Sequence, residues 1–160
     1  MGRDEPVARR PRFPAGYGIA AAEDGLLRWS WAEERLVTSR SYWIATSGPG
    51  GAPHAMPVWG LWLDGAFVFS TSPDSRKGRN LTRNPRVVVH LESADEVVVF
   101  EGEVEYIALD PRIADAYEEK YDFRPESGSP EGLWLRLAPR VAYAWLERDY
   151  PGTATRFAFD

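Results

Sequence analysis

The sequence predicts a mainly β protein, an antiparallel barrel with helices at its periphery. Three observations predict it. Short apolar, β-branched or aromatic runs recur between residues 42 and 146, bounded by Gly, Pro, Asp and Asn. Strict alternation shows in Phe100-Glu101-Gly102-Glu103-Val104-Glu105-Tyr106, the mark of a strand with one wet face. The strand–helix alternation of a doubly wound sheet is missing, as is any Gly-rich dinucleotide fingerprint.

The elements follow in order. Residues 1–24 are rich in Arg, Pro, Gly and Ala without periodicity and predict a flexible N-terminal arm. Ser30-Trp31-Ala32-Glu33 has the form of a capping box. It predicts a helix to about Arg40 that buries Trp31, Leu36 and Val37. Tyr42–Thr46 is a first strand, Gly48-Pro49-Gly50-Gly51 a turn, and His54–Leu63 a second strand. Asp64-Gly65 is a hairpin signal leading to a third strand, Ala66–Ser72. A short helix over the following basic residues must stop before Pro85, because the residue before proline avoids the helical region. Arg86–Glu92 and Glu96–Ile107 are the fourth and fifth strands. Asp110-Pro111 places a cap and a first-turn proline at the head of a helix to about Tyr121. A turn-rich loop, residues 122–132, precedes strands at Leu133–Leu137 and Val141–Leu146. The residues beyond 147 read as an irregular tail. The organisation predicted is an arm (1–24), one domain (25–147) and a tail (148–160).

Composition narrows the function classes. Without cysteine there are no disulfides and no thiolate chemistry. Two histidines, His54 and His90, are too few for a zinc site, and Glu101, Glu103 and Glu105 read as a wet strand face, so no metal is expected. His90 reads as a structural barrel residue. His54, beside Pro53 on a strand, is the one catalytic candidate. No signal-peptide core or membrane-length apolar run is present, which predicts a cytoplasmic protein with no membrane partner.

One segment departs from this background. Ser75 to Arg86 carries five cations and no acid in a chain of net charge −5. A concentrated cationic turn on an acidic protein suits one small anion rather than a nucleic acid. It follows a strand and opens a helix. That combination offers backbone N–H groups, the helix dipole and charged side chains to a phosphate.

The ordered set Ile44-Ala45-Thr46, Gly50-Gly51, His54-Ala55-Met56-Pro57-Val58-Trp59, Asp64-Gly65, Phe69-Ser70-Thr71, Ser75-Arg76-Lys77, Asn80-Leu81 and Asn84-Pro85-Arg86-Val87 resembles the pyridoxamine 5′-phosphate oxidase-like, flavin-binding split-barrel family over roughly residues 30–147. The resemblance implies a six-stranded antiparallel split β-barrel and a homodimer with FMN at the dimer interface. It implies phosphate ligands at Ser75, Arg76 and Lys77, with Thr71 assisting. Met56, Pro57, Val58 and Trp59 would flank the ring system, and Asn80 sits where the family helix turns back to the cofactor. Trp134 and Arg136 fall on a strand like the one that the partner subunit contributes. After Pro111 the sequence lacks the Ser-Gln-Ser-type segment of the classical oxidases, and their pyridoxal-phosphate-binding residues are missing near the C-terminus. Oxidation of pyridoxamine phosphate is therefore not expected.

The function implied is a flavin-dependent oxidoreductase that transfers hydride to or from an unidentified small molecule. Two alternatives remain open. A deazaflavin, coenzyme F-420, is also planar and phosphorylated and suits the same turn. A non-enzymatic protein that holds a flavin or haem would carry the same binding features without turnover.

Overall fold

The computed structural model of the chain describes residues 5–129 and 132–160. One antiparallel sheet runs through nearly all of it. The strands are β1 (Val7–Arg9), β2 (Tyr42–Ser47), β3 (Pro53–Val58), β4 (Leu61–Leu63), β5 (Ala66–Thr71), β6 (Arg86–His90), β7 (Glu96–Ile107), β8 (Leu133–Leu137), β9 (Val141–Leu146) and β10 (Thr155–Ala158). Their order is β1-β10-β9-β7-β6-β2-β3, and a branch leaves β7 through β8 to β5 and β4.

The branch point explains the split barrel. β9 pairs with the first half of β7, ending at Glu101↔Val141, and β8 takes over at Val104↔Leu137. Gly102 stands between them. A Cβ there would lie 2.7 Å from the Ala138 carbonyl and 2.8 Å from Leu137 Cδ1, so only glycine lets the β8–β9 corner cross this closely. The sheet folds over a core of Tyr42, Ile44, Phe67, Phe69, Phe100 and Leu135, all fully buried. β3 and β4 remain edges, so the barrel does not close.

The helices are α1 (Trp29–Thr38), α2 (Arg76–Arg83), α3 (Pro111–Tyr121) and α4 (Tyr150–Thr153). Asp110 caps α3 as its sequence predicts, accepting from Ile113 N at 2.8 Å. Ile113, Tyr117 and Tyr121 then pack on Leu61, Val68 and Trp134, outside the main core. This stripe fixes α3 against the β4–β5–β8 face.

Several expectations change. The α1 capping box is not used: the helix starts earlier, Arg28 is its N-cap, and no side chain caps it. Ala32 and Leu36 form its buried face, whereas Val37 is exposed. The second predicted strand breaks at Trp59-Gly60 into β3 and β4. A Cβ on Gly60 would lie 2.2 Å from the Phe67 ring, so the chain turns where only glycine fits. The arm is not all loose, since Val7–Arg9 pairs with β10. Nor is the tail irregular: it contains α4 and β10. With β1, β10 and the break of one strand into β3 and β4, the described residues form ten strands, above the six that the resemblance implies. No helix is long and apolar enough to cross a membrane among the described residues.

Candidate functional site: a cationic helix start beside an exposed edge strand

β5 ends at Thr71 and delivers the chain to a tight turn. Ser75, extended at φ −66° and ψ 155°, is the N-cap of α2 and accepts from Gly78 N at 2.9 Å. Its hydroxyl also donates to Ser72 O at 2.8 Å and lies 3.0 Å from Thr71 Oγ1. Gly78 makes the turn compact, because a Cβ there would sit 2.2 Å from Ser72 O. Strand end, cap and first helical turn thus form one rigid unit.

Its electrostatics are lopsided. Arg76 and Lys77 occupy the first turn of α2, where no acidic residue stands. The partial positive charge of a helix N-terminus disfavours cations by about 0.3–1 kcal/mol each. Neither residue has a carboxylate partner among the described residues. Lys77 is half-buried, and burial lowers its pKa. An isolated protein gains nothing from this arrangement, whereas a bound dianion resolves it. Among the described residues there is no group of acids and histidines able to hold a metal ion.

His54 on β3 belongs to the same locus. Its pKa is lowered first by burial, then by the charges of Arg76 and Lys77. Its Nδ1 is buried and has no hydrogen-bond partner among the described residues. Such an atom has given up water without replacement, at a cost of about 1–3 kcal/mol. Opposite His54 stands Thr46, whose Oγ1 accepts from Asn80 Nδ2 at 3.0 Å. Asn80 is only 4% exposed, so its amide ties α2 to β2 and positions the turn.

The remaining predicted track is exposed. β3 pairs only with β2, leaving its outer edge open. Along an antiparallel strand every second residue turns its N–H and C=O to such an edge. Met56 is 47% and Trp59 42% exposed. Trp59 stacks on Tyr121 at 4.4 Å and 8°, forming a flat aromatic platform beyond the end of β3.

Sequence reasoning missed a group beside this platform. The Arg40 guanidinium lies 5.5 Å from the Trp59 ring and 5.4 Å from that of Tyr121. Lys120 Nζ donates to Tyr42 OH at 2.8 Å and to Gly60 O at 2.9 Å. Burial, then the Arg40 charge, lowers its pKa to about 8. Arg40, Lys120 and Tyr121 are brought together only by α3 docking on the β3–β4 break. The one signal available in sequence was Lys120 beside the Tyr117/Tyr121 pair at the end of an amphipathic helix.

Trp134 and Arg136 lie on β8, which pairs with β5 up to the strand end that feeds the Arg76–Lys77 turn. Trp134 sits opposite Ser70 and packs edge-on against Tyr117 at 5.4 Å. Arg136 pairs with Glu105 at 2.7 Å.

Comparison with known proteins places this geometry. The family model described as pyridoxamine 5′-phosphate oxidase matches residues 32–146. A pyridoxine/pyridoxamine 5′-phosphate oxidase of Azorhizobium caulinodans is 31% identical over 94% of this chain and 74% of its own. That of Pseudomonas paraeruginosa is 33% identical over 80% of this chain. The chain spans 62% of that relative and about half of others. Among solved structures, a conserved hypothetical protein of Mycobacterium tuberculosis superposes with TM-score 0.66 at 27% identity, covering 79% of this chain and 89% of its own. An F420 reductase superposes with TM-score 0.55 at 24% identity over 68% of this chain and 94% of its own. A pyridoxamine 5′-phosphate oxidase-related, FMN binding protein of Nostoc punctiforme superposes with TM-score 0.56 at 18% identity over 74% and 80%. These last two likenesses show the fold. The chain belongs to the pyridoxamine 5′-phosphate oxidase family.

Proposed function

We propose that this family member is a flavin-dependent oxidoreductase that binds FMN between two copies of the chain and moves hydride to or from a small molecule. The observation that carries the reading is the pair Arg76 and Lys77, set at a helix N-terminus with no carboxylate partner among the described residues. The orphaned Nδ1 of His54 at the same locus fits a phosphorylated cofactor for the same reason.

Bound FMN would supply the hydride chemistry, and the chain would supply binding, orientation and electrostatics. Arg76 and Lys77 hold the phosphate by charge-assisted bonds, with Ser75 and Thr71 fixing the turn that presents them. The open edge of β3, from Met56 to Trp59, orients the ring plane. The Trp59–Tyr121 stack bounds the far end. Lys120 Nζ, with its pKa near 8, is mainly protonated at neutral pH and can surrender that proton at little cost. The exposure of Met56 and Trp59 leaves room for a substrate, which supports turnover over storage.

The second subunit would pack on an open sheet face. Trp43, Ala45, Val88 and Val141 line one sheet face through the register Ala45↔Val88↔Glu101↔Val141, and Trp43 is 37% exposed. Apart from Glu101, this face is apolar, as the centre of a homodimer interface would be.

The test compares FMN with riboflavin, which lacks only the phosphate. Two charge-assisted bonds of about 1.5 kcal/mol each predict that FMN binds at least ~100-fold more tightly. Equal affinities, or no flavin binding at all, would overturn the reading. Binding of coenzyme F-420 in place of FMN would keep the anchor and change the cofactor.

A further inference from the structure

The chain contains 17 arginines and only two lysines, Lys77 and Lys120. Arginine keeps its proton, whereas a lysine withdrawn from water can become a neutral amine. Where charge alone is needed this chain uses arginine: every ion pair among the described residues is made by one. Lys120 stands apart from that pattern.

Its hydrogen-bond acceptors are neutral. Nζ donates to Tyr42 OH at 2.8 Å and to Gly60 O at 2.9 Å. Burial holds Tyr42 in its protonated form by raising its pKa, and its hydroxyl donates onward to Leu36 O. The Tyr121 hydroxyl is engaged with Gly60 and with the Arg40 carbonyl. The charge that acts on Nζ is a second cation, Arg40, and neither residue has an ion pair among the described residues. A neutral amine has two N–H groups, enough to keep both bonds, and leaves its lone pair free. Burial, then Arg40, lowers the pKa to about 8.

The neighbouring surface can seat a ring. Trp59 is 42% exposed and stacks on Tyr121, whose ring centre lies 5.3 Å from Nζ. The Arg40 guanidinium stands at the same platform, 5.5 Å from the Trp59 ring. Lys120 is only half-buried, so Nζ remains within reach of a small molecule. Successive residues of β2 take opposite faces of the sheet. Lys120, bonded to Tyr42, therefore lies across the sheet from Trp43 and the face that a second subunit would cover.

We propose that Lys120 is a carbonyl-reactive amine, which forms an imine with small aromatic aldehydes that carry an acidic group. The ring rests on Trp59, and the acid meets the Arg40 guanidinium through a charge-assisted bond. The Nζ lone pair forms a bond to the carbonyl carbon. One N–H proton passes to the carbonyl oxygen, the second leaves with that hydroxyl as water, and a C=N bond remains. No electrons change hands, so the step needs no flavin. Desolvation and a neighbouring cation are two means by which proteins make a lysine nucleophilic, and Lys120 has both.

The probe is para-formylbenzoate, given to the full chain at pH 8 with cyanoborohydride, which reduces each imine to a stable amine. Peptide mass spectrometry locates the label. At that pH about half of Lys120 is neutral, against roughly 0.3% of an ordinary lysine. Allowing for its lower basicity, Lys120 should be labelled at least about tenfold faster than a free lysine amide in the same solution, and ahead of Lys77. The parent should prefer para-formylbenzoate over benzaldehyde by at least about fivefold, because only the former carries the acid. Arg40 is exposed, so Arg40→Gln should fold, and that preference should disappear in it. Labelling of Lys120 should persist in Arg76→Ala with Lys77→Ala, which separates this result from the fate of the flavin reading. The proposal is overturned if Lys120 is labelled no faster than the free amine, if Lys77 takes the label first, or if Arg40→Gln keeps the parent's preference.

Discussion

Replacing Arg76 and Lys77 together by Ala should move two quantities in opposite directions. In the free protein both cations oppose the dipole of α2, at about 0.3–1 kcal/mol each. Half-buried Lys77 adds an uncompensated desolvation cost. Alanine also favours the helix at both positions. The double variant should therefore be more stable than the parent by roughly 1–2 kcal/mol, which is about 2–8 °C in Tm for a chain of this size. For FMN the same change removes two charge-assisted bonds. At about 1.5–3 kcal/mol each, the affinity should fall by roughly 10²–10⁴-fold. Differential scanning calorimetry of the cofactor-free protein and flavin fluorescence titration read the two effects separately. A lower Tm with unchanged FMN affinity would refute the reasoning, since the cations would then be structural. A higher Tm with unchanged affinity would keep the anion site and remove the flavin from it.

Other consequences follow from the same geometry. Ser75→Ala removes the cap on α2 and should cost about 1 kcal/mol, read as a fall in the chemical-denaturation midpoint. Gly78→Ala should destabilise despite alanine's higher helix propensity, because a Cβ 2.2 Å from Ser72 O forces the backbone apart; a stabilised variant in the same assay would show that the turn has slack. The pH dependence of stability has a definite sign. Lys120 has a folded pKa near 8, below its ordinary 10.5, so the unfolded chain binds more protons between those values and stability should rise from pH 8 toward 10. Lys77 acts in the same direction. Above pH 10 the raised pKa values of Tyr42 and Tyr117 reverse the trend, as the unfolded chain releases those protons first. Urea denaturation of the parent and of Lys120→Met at pH 8 and 9.5 checks this: the variant should lose part of the increase, and an unchanged increase would remove Lys120 from the account.

The fold was legible where local chemistry and tertiary demand agree. Asp64-Gly65 makes its turn with both residues at positive φ, Asp110-Pro111 opens α3, and Asn84-Pro85 ends α2. It was illegible where tertiary contacts override local signals. Nothing near Gly60 announces that the Phe67 ring fills the space a side chain would need, so a continuous strand was the natural reading. Val7–Arg9 and Thr155–Ala158 are too short to signal strands, and each is a strand only because the other or β9 lies beside it. The candidate site divides in the same way. The phosphate end is contiguous in sequence, and its charge imbalance was visible at once. Arg40 follows α1 and Lys120 lies in α3, and their convergence on Trp59 and Tyr121 depends on how α3 docks. Asn80, which the resemblance places near the cofactor, also joins α2 to Thr46 through its amide, a contact that its sequence position does not announce.

The central claim is that the unpaired cations at the head of α2 hold the phosphate of a flavin. The most direct measurement is the absorbance spectrum of the purified protein, taken with the mass of whatever it releases on denaturation. The account predicts a yellow protein that releases FMN, or takes it up stoichiometrically when added. A colourless protein that releases no flavin and takes up neither FMN nor another phosphorylated flavin-type cofactor would contradict it.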